Sequence, residues 1–155
     1  MSEIEQPAIS RMRCREIMTK NVRTATRDMS LSDVAVMMRD GDMGAVPIVD
    51  DGKLTGIVTD RDIVIRVVAE GKDAVTPAAD AMTTELFTVG PDDFVFEAIR
   101  LMGDKQVRRV PVVNHDGTLA GIIAMADVAL DTEDEYQIAE TLEEISSGSA
   151  FWKKN

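Results

Sequence analysis

Val46-Pro47-Ile48-Val49, a Gly52-Lys53 turn, then Gly56-Ile57-Val58-Thr59-Asp60-Arg61-Asp62: this stretch returns as Val110-Pro111-Val112-Val113, a Gly117-Thr118 turn, then Gly121-Ile122-Ile123-Ala124-Met125-Ala126-Asp127. The register extends upstream, where Met18-Thr19, Thr24, Asp28, Met38 and Asp40 recur as Met82-Thr83, Thr88, Asp92, Met102 and Asp104. The offset is 64 residues before the second hairpin and 65 after it, so one inserted residue separates the copies. A tandem unit of this size predicts two copies packed face to face, with any binding site in the cleft between them. A single copy of about 55–60 residues is marginal alone, so the pair is expected to share its stability.

Each copy alternates strand and helix signals. Ser10 stands where it would cap a short helix through Glu16-Ile17-Met18, and Thr76-Pro77 opens its counterpart, with the proline placed at the first helical position. Val22–Thr26 and Leu86–Val89 are predicted as brief strands. Leu31, Val34, Ala35 and Met38 then fall at helical spacing, as do Val95, Ala98, Ile99 and Met102. Residues 45–49 and 54–58 flank Asp51-Gly52, the signature of a tight hairpin, and 109–113 with 119–123 repeat it around Asn114-His115-Asp116-Gly117. Asp60–Glu70, stopped by Gly71, and Met125–Asp131 close the copies as helices. The predicted class is α/β (α+β), two β-α-β-β-α repeats related by a pseudo-two-fold axis. The boundaries are 10–71 for the first copy, 72–131 for linker and second copy, and 132–155 for an acidic C-terminal helix and tail.

With 155 residues and a net charge of −11, the chain repels a phosphate backbone except at a local basic patch, so nucleic acid is not expected as a partner. No apolar run approaches the ~18 residues of a membrane span, and Met1–Gln6 lacks a signal-peptide core, which predicts a cytoplasmic protein off the membrane. Cys14 is the only cysteine; it cannot form an internal disulfide and reads as a small apolar residue on a short helix. His115 is the only histidine, an ordinary polar residue of a hairpin turn with no serine or cysteine motif beside it. No nucleophile, metal cluster or recognisable base presents itself, and no enzyme is predicted.

The order of these elements, and the Met-Thr, Val-Pro-hydrophobic-Val and Gly-Ile-Val-Thr-Asp-Arg-Asp sequences that carry it, resemble the cystathionine β-synthase (CBS) domain family in tandem, over about residues 10–131. The resemblance implies a stand-alone regulatory pair whose clefts bind adenosine-containing ligands (AMP, ADP, ATP, NAD or S-adenosylmethionine), commonly a homodimer, signalling to a target protein without catalysis of its own. It also implies that Thr59 and Asp62 contact the ribose and phosphate region of the ligand.

The residues support two readings of that segment. Where a strand ends and a helix begins, unpaired N–H groups and the helix dipole attract anions, and a carboxylate accepts both hydroxyls of a ribose. Thr-x-x-Asp is equally close to a capping box, worth about 1 kcal/mol with no ligand. In the second copy Asp127 matches Asp62, but Ala124 replaces the threonine, which predicts loss of both the cap and the ligand hydroxyl. Arg108-Arg109 precede Val110 where the first copy has Gly44-Ala45. In several family members a basic residue here reaches phosphates, and paired arginines supply the required fork and charge; the alternative is ordinary surface ion pairs. The expected site therefore joins Thr59 and Asp62 with Arg108 or Arg109, with Asp127 as the second carboxylate. The competing reading is a ligand-free constitutive dimer or protein-interaction module.

Apolar Ile63, Val67 and Val128 are expected on exposed rim helices that a second copy covers. In the tail, Thr132-Glu133-Asp134-Glu135 is a capping box for a helix with Tyr136, Ile138, Leu142 and Ile145 on one face. Phe151-Trp152 reads either as an anchor for a partner or as a loosely packed terminus.

Overall fold

In the Val-Pro strands successive residues are buried, Ala45 to Ile48 in one and Val110 to Val112 in the other, so each strand is covered on both faces. The structure, a computed structural model, describes residues 11–131, with side chains through 128. Ser10 and the tail elements from Thr132 to Trp152 lie outside the described residues. In chain order the elements are α1 (Cys14–Ile17), α2 (Leu31–Gly41), β1 (Ala45–Asp50), β2 (Lys53–Thr59), α3 (Asp60–Ile63) continued by a π-helical turn (Val64–Val68), a 3-10 turn (Ala78–Asp80), α4 (Val95–Lys105), β3 (Arg109–Val113), β4 (Leu119–Ala124) and α5 (Met125–Asp131). The mixed α and β class of the sequence holds.

Two compact units result, and they do not coincide with the sequence repeats. One comprises Asn21–Leu86 with Asp116–Leu119; the other takes the chain up to Lys20, Phe87–His115 and the chain from Ala120 onward. Each repeat's opening segment therefore belongs to the unit built around the other repeat's hairpin.

In the first unit β1 and β2 pair antiparallel, Val46 opposite Val58 and Pro47 opposite Ile57. Asp51 and Gly52 turn the hairpin with positive φ (49° and 77°), as an Asp-Gly turn requires. Val46, Ile48 and Val58 are fully buried with Leu31 and Val34 of α2, Val67, and Ala78 and Ala81 from the far side of the linker. Ser30 caps α2 by accepting the Asp33 N–H at 3.1 Å. Ala35 is exposed and Met38 half-buried, so the buried stripe of α2 is narrower than the periodicity suggests. In the second unit Val95, Ala98, Ile99 and Met102 are all buried against Val110, Val112, Ile123 and Val128, and Cys14 and Ile17 of α1 complete that core. Burial, then the carboxylates of Asp93 and Glu97, push the Cys14 thiol up to about 12.

Three expectations need correction. Val22–Thr26 and Leu86–Val89 are not strands; each makes one parallel bridge, Ala25 to Ile48 and Val89 to Val112. Both peel away into turns after it: Thr26 Oγ1 donates to Asp28 Oδ1 at 2.6 Å, and Gly90 N–H donates to Asp93 Oδ2 at 2.7 Å. Pro77 precedes the 3-10 turn with extended backbone (ψ 150°) rather than forming its first residue. Ile63, Val67 and Val128 do not lie on an open rim: Val67 and Val128 are 4% and 0% exposed, and Ile63 packs on its own core. The apolar residues of this helix that are exposed are Val64, Ile65 and Val68. No helix among the described residues is long and apolar enough to cross a membrane.

Candidate functional site

The first unit's strand-to-helix junction is built from four side chains. Thr59 ends β2 with extended backbone (φ −105°, ψ 163°), and its Oγ1 accepts the Asp62 N–H at 3.1 Å while Asp62 Oδ2 accepts the Thr59 N–H at 2.9 Å. This is a complete capping box, as the local sequence predicts. Sequence reasoning did not find the other two. The Thr83 hydroxyl donates to both oxygens of the same carboxylate, at 3.2 and 3.3 Å. The Arg66 guanidinium stands one helical turn on, with Nε 3.8 Å from Asp62 Oδ1 and Nη1 donating to the Met82 carbonyl at 3.1 Å. Asp62 is thereby 12% exposed, against 48% for Arg66.

A close approach of backbones brings Thr83 there. Ile57 and Thr83 exchange both backbone hydrogen bonds (3.0 and 2.8 Å). A Cβ on Gly56 would lie 2.7 Å from Met82 Sδ and 3.1 Å from the Thr83 carbonyl oxygen. The second unit repeats this: Thr19 and Ile122 exchange bonds at 2.9 and 3.0 Å, and a Cβ on Gly121 would lie 2.5 Å from the Thr19 carbonyl oxygen. The recurrence of Met-Thr and of Gly-Ile in the sequence is thus one feature, since the glycine makes room for the Met-Thr backbone.

At the second junction Asp127 Oδ2 accepts the Ala124 N–H at 3.0 Å. The expectation that Ala124 removes the whole cap is therefore corrected: the carboxylate half survives, and only the hydroxyl half is missing. Arg108 and Arg109 lead into β3, both exposed. The Arg108 carbonyl accepts the Met125 N–H at 2.9 Å, which ties the arginine pair to the start of α5. Neither guanidinium forms an ion pair among the described residues, in contrast to Arg39 with Asp40 at 2.9 Å. Thr59 and Asp62 thus belong to one unit and Arg108, Arg109 and Asp127 to the other.

Comparison with known proteins identifies the class. The CBS domain model matches residues 14–69 and 78–130, and the chain belongs to that family, as a tandem pair. It is 35% identical over 132 residues to the CBS domain-containing protein YhcV of Bacillus subtilis (strain 168), covering 85% of this chain and 94% of that one. Among solved structures, Hypoxic Response Protein I with two coordinated zinc ions superposes with a TM-score of 0.71 at 37% identity, over 77% of this chain and 98% of that one. CBSX2 in complex with AMP gives 0.69 at 26% identity (76% and 93%). The CBS domain pair of MJ0100 in complex with 5-methylthioadenosine and S-adenosyl-L-methionine gives 0.69 at 28% (77% and 94%).

Proposed function

We propose that this CBS pair is a regulatory module that binds an adenosine-containing ligand and transmits its presence by a change of conformation or of partner, without catalysis of its own. The observation that carries the reading is the Arg108-Arg109 pair: two adjacent, exposed guanidiniums without ion pairs among the described residues, in a chain of net charge −11. Cations left unpaired amid so many carboxylates suit a phosphate-bearing ligand. Asp62 and Asp127 are the ribose acceptors in this reading, with Thr59 beside Asp62. The similarity to pairs solved with AMP and with S-adenosyl-L-methionine supports the adenosine moiety. Zinc is not proposed. Among the described residues no three His, Cys, Asp or Glu side chains group to hold a metal ion.

We propose further that the module is a cytoplasmic homodimer, with Val64, Ile65 and Val68 (55%, 49% and 67% exposed) covered by a second copy. The test of function is mass spectrometry of small molecules released from the natively purified protein, followed by calorimetry with adenosine, AMP and ATP. Arg108→Ala with Arg109→Ala is expected to weaken AMP and ATP far more than adenosine. Equal losses would refute the phosphate role. A second reading, the ligand-free interaction module, is favoured by one observation: the Asp62 carboxylate is already satisfied by its own chain.

A further inference from the structure

That satisfaction has a particular geometry. An ionised carboxylate offers about four lone-pair positions on two oxygens. The Thr59 N–H takes one on Oδ2, and the Thr83 hydroxyl lies almost equidistant from Oδ1 and Oδ2. It therefore stands in the plane that bisects the carboxylate and shares both oxygens, the two acceptors that a partner with two hydroxyl groups needs. Asp62 is largely enclosed, so little of it remains for a second approach. Thr83 also belongs to the segment 81–83, whose Ala81 and Met82 are buried in the same core and whose carbonyls at 81 and 82 accept from Arg66 Nη1 (3.4 and 3.1 Å). The other junction lacks this arrangement: among the described residues Asp127 takes a hydrogen bond from the Ala124 N–H alone, and Thr19 is exposed.

We propose that the Thr83 hydroxyl is a built-in competitor for the Asp62 carboxylate, so that a vicinal diol binding there displaces it and removes one of the two side-chain tethers of the 81–83 segment to the closing helix, the other being Arg66 on the 81 and 82 carbonyls. The inference rests on the nucleotide reading and adds a regulatory consequence: occupancy is read by the segment that opens the second repeat. Arg66 and Thr83 are positioning residues here, acting through Asp62. The competition also sets the affinity of the first site, since the ligand gains its bonds to Asp62 only by breaking one that the protein already has.

The test uses the full chain and adenosine as probe. Thr83→Val keeps the β-branched shape and removes the hydroxyl; it is expected to bind adenosine about 3- to 10-fold more tightly, the scale of one ordinary hydrogen bond removed from competition, since the bond is long and shared between two oxygens. Thr83→Ser is expected to behave as wild type, and the gain is expected to vanish in Thr83→Val with Asp62→Asn. Amide hydrogen exchange at Ile57 and Thr83 gives a second readout: adenosine accelerates it in wild type and leaves it unchanged in Thr83→Val. Unchanged or weaker binding by Thr83→Val, with wild type still binding, overturns the competition while the nucleotide reading stands. Absence of adenosine binding in both proteins overturns the nucleotide reading and the competition together.

Discussion

Ala124→Thr and Thr59→Ala are mirror-image changes, and together they measure what the junction hydroxyl does. In the first unit Thr59 Oγ1 accepts the Asp62 N–H at 3.1 Å, closing a box whose other half is the Asp62 carboxylate on the Thr59 N–H. In the second, the carboxylate half is already present at 3.0 Å and Asp127 is half-buried. A threonine at 124 therefore enters a half-made cap and need only supply an acceptor to the Asp127 N–H. An N-cap hydroxyl is worth about 1 kcal/mol, within a range of roughly 0.5–2. At about 2–4 °C per kcal/mol for a chain of this size, Ala124→Thr is expected to raise Tm by about 2–4 °C and Thr59→Ala to lower it by as much. The two positions lie in different units and share no partner, so the double exchange should be close to neutral, within about 0.5 kcal/mol. Differential scanning calorimetry without ligand supplies the stabilities, and titration with adenosine then asks whether the new hydroxyl also adds a binding event. If Ala124→Thr leaves Tm unchanged or lowers it while Thr59→Ala costs its full share, the two junctions are not equivalent caps and the reasoning fails.

Other consequences are as direct. Gly121→Ala forces a Cβ to 2.5 Å from the Thr19 carbonyl oxygen and should cost about 1–3 kcal/mol by overpacking; Gly71→Ala meets nothing within 4 Å and pays only for its φ of +68°, about 1 kcal/mol. Equal melting temperatures for the two variants would disprove the close-approach argument. Cys14 should resist thiol reagents at pH 8 in the native protein and react at once in guanidinium. Its folded pKa is raised above the unfolded value, so its contribution to stability is fully present below about pH 9 and is lost as pH rises toward about 12; native and unfolded proteins labelling at the same rate would contradict this. Ile65→Asp with Val68→Asp should convert a dimer to a monomer near 17.0 kDa in light scattering, and an unchanged mass would remove that face from the interface.

The hairpins and α4 were legible because their signals are local: Asp51-Gly52 demands positive φ, and Val95, Ala98, Ile99 and Met102 recur at a helical period on a single buried face. Thr59 and Asp62 were legible as a capping box for the same reason, three residues apart. Val22–Thr26 was misread because Val22, Thr24 and Thr26 are β-branched and favour extended backbone, whereas a strand needs a ladder, and only Ala25, the one buried residue of the five, finds a partner. The rim residues failed on the face assigned: Ile63 and Val67 lie four apart on the side that packs on the first core, Val128 is buried in the second, and Val64, Ile65 and Val68 are the residues left outside. Arg66 stands four residues after Asp62, and that i,i+4 spacing of opposite charges is a signal the sequence reading passed over; the partnership of Thr83 with Asp62 is not written in any spacing. Thr83 lies 21 residues from Asp62 in the chain, and only the Ile57–Thr83 pairing brings it there.

The exchange of opening segments decides which pieces of this chain can fold. The fragment 21–86 carries its own closing piece: Ala78, Ala81 and Met82 complete its core and Thr83 pairs with Ile57 inside it. The fragment 72–131, a repeat by sequence, does not. It lacks Cys14 and Ile17, both buried in the core of α4, β3 and β4, and it lacks Thr19, whose backbone pairs with Ile122. Losing two buried side chains of this kind forfeits several kcal/mol, at roughly 2–5 for the isoleucine alone, in a unit of a size that is marginal to begin with. The expected outcome is a cooperative thermal transition for 21–86 and none for 72–131, with the second fragment gaining one when a synthetic peptide of residues 11–20 is added. Circular dichroism melts with and without the peptide decide the matter. Cooperative folding of 72–131 alone would show that the sequence repeat, rather than the exchanged unit, is the folding unit, and the pairing of Met-Thr with Gly-Ile would then be a product of assembly instead of a condition for it.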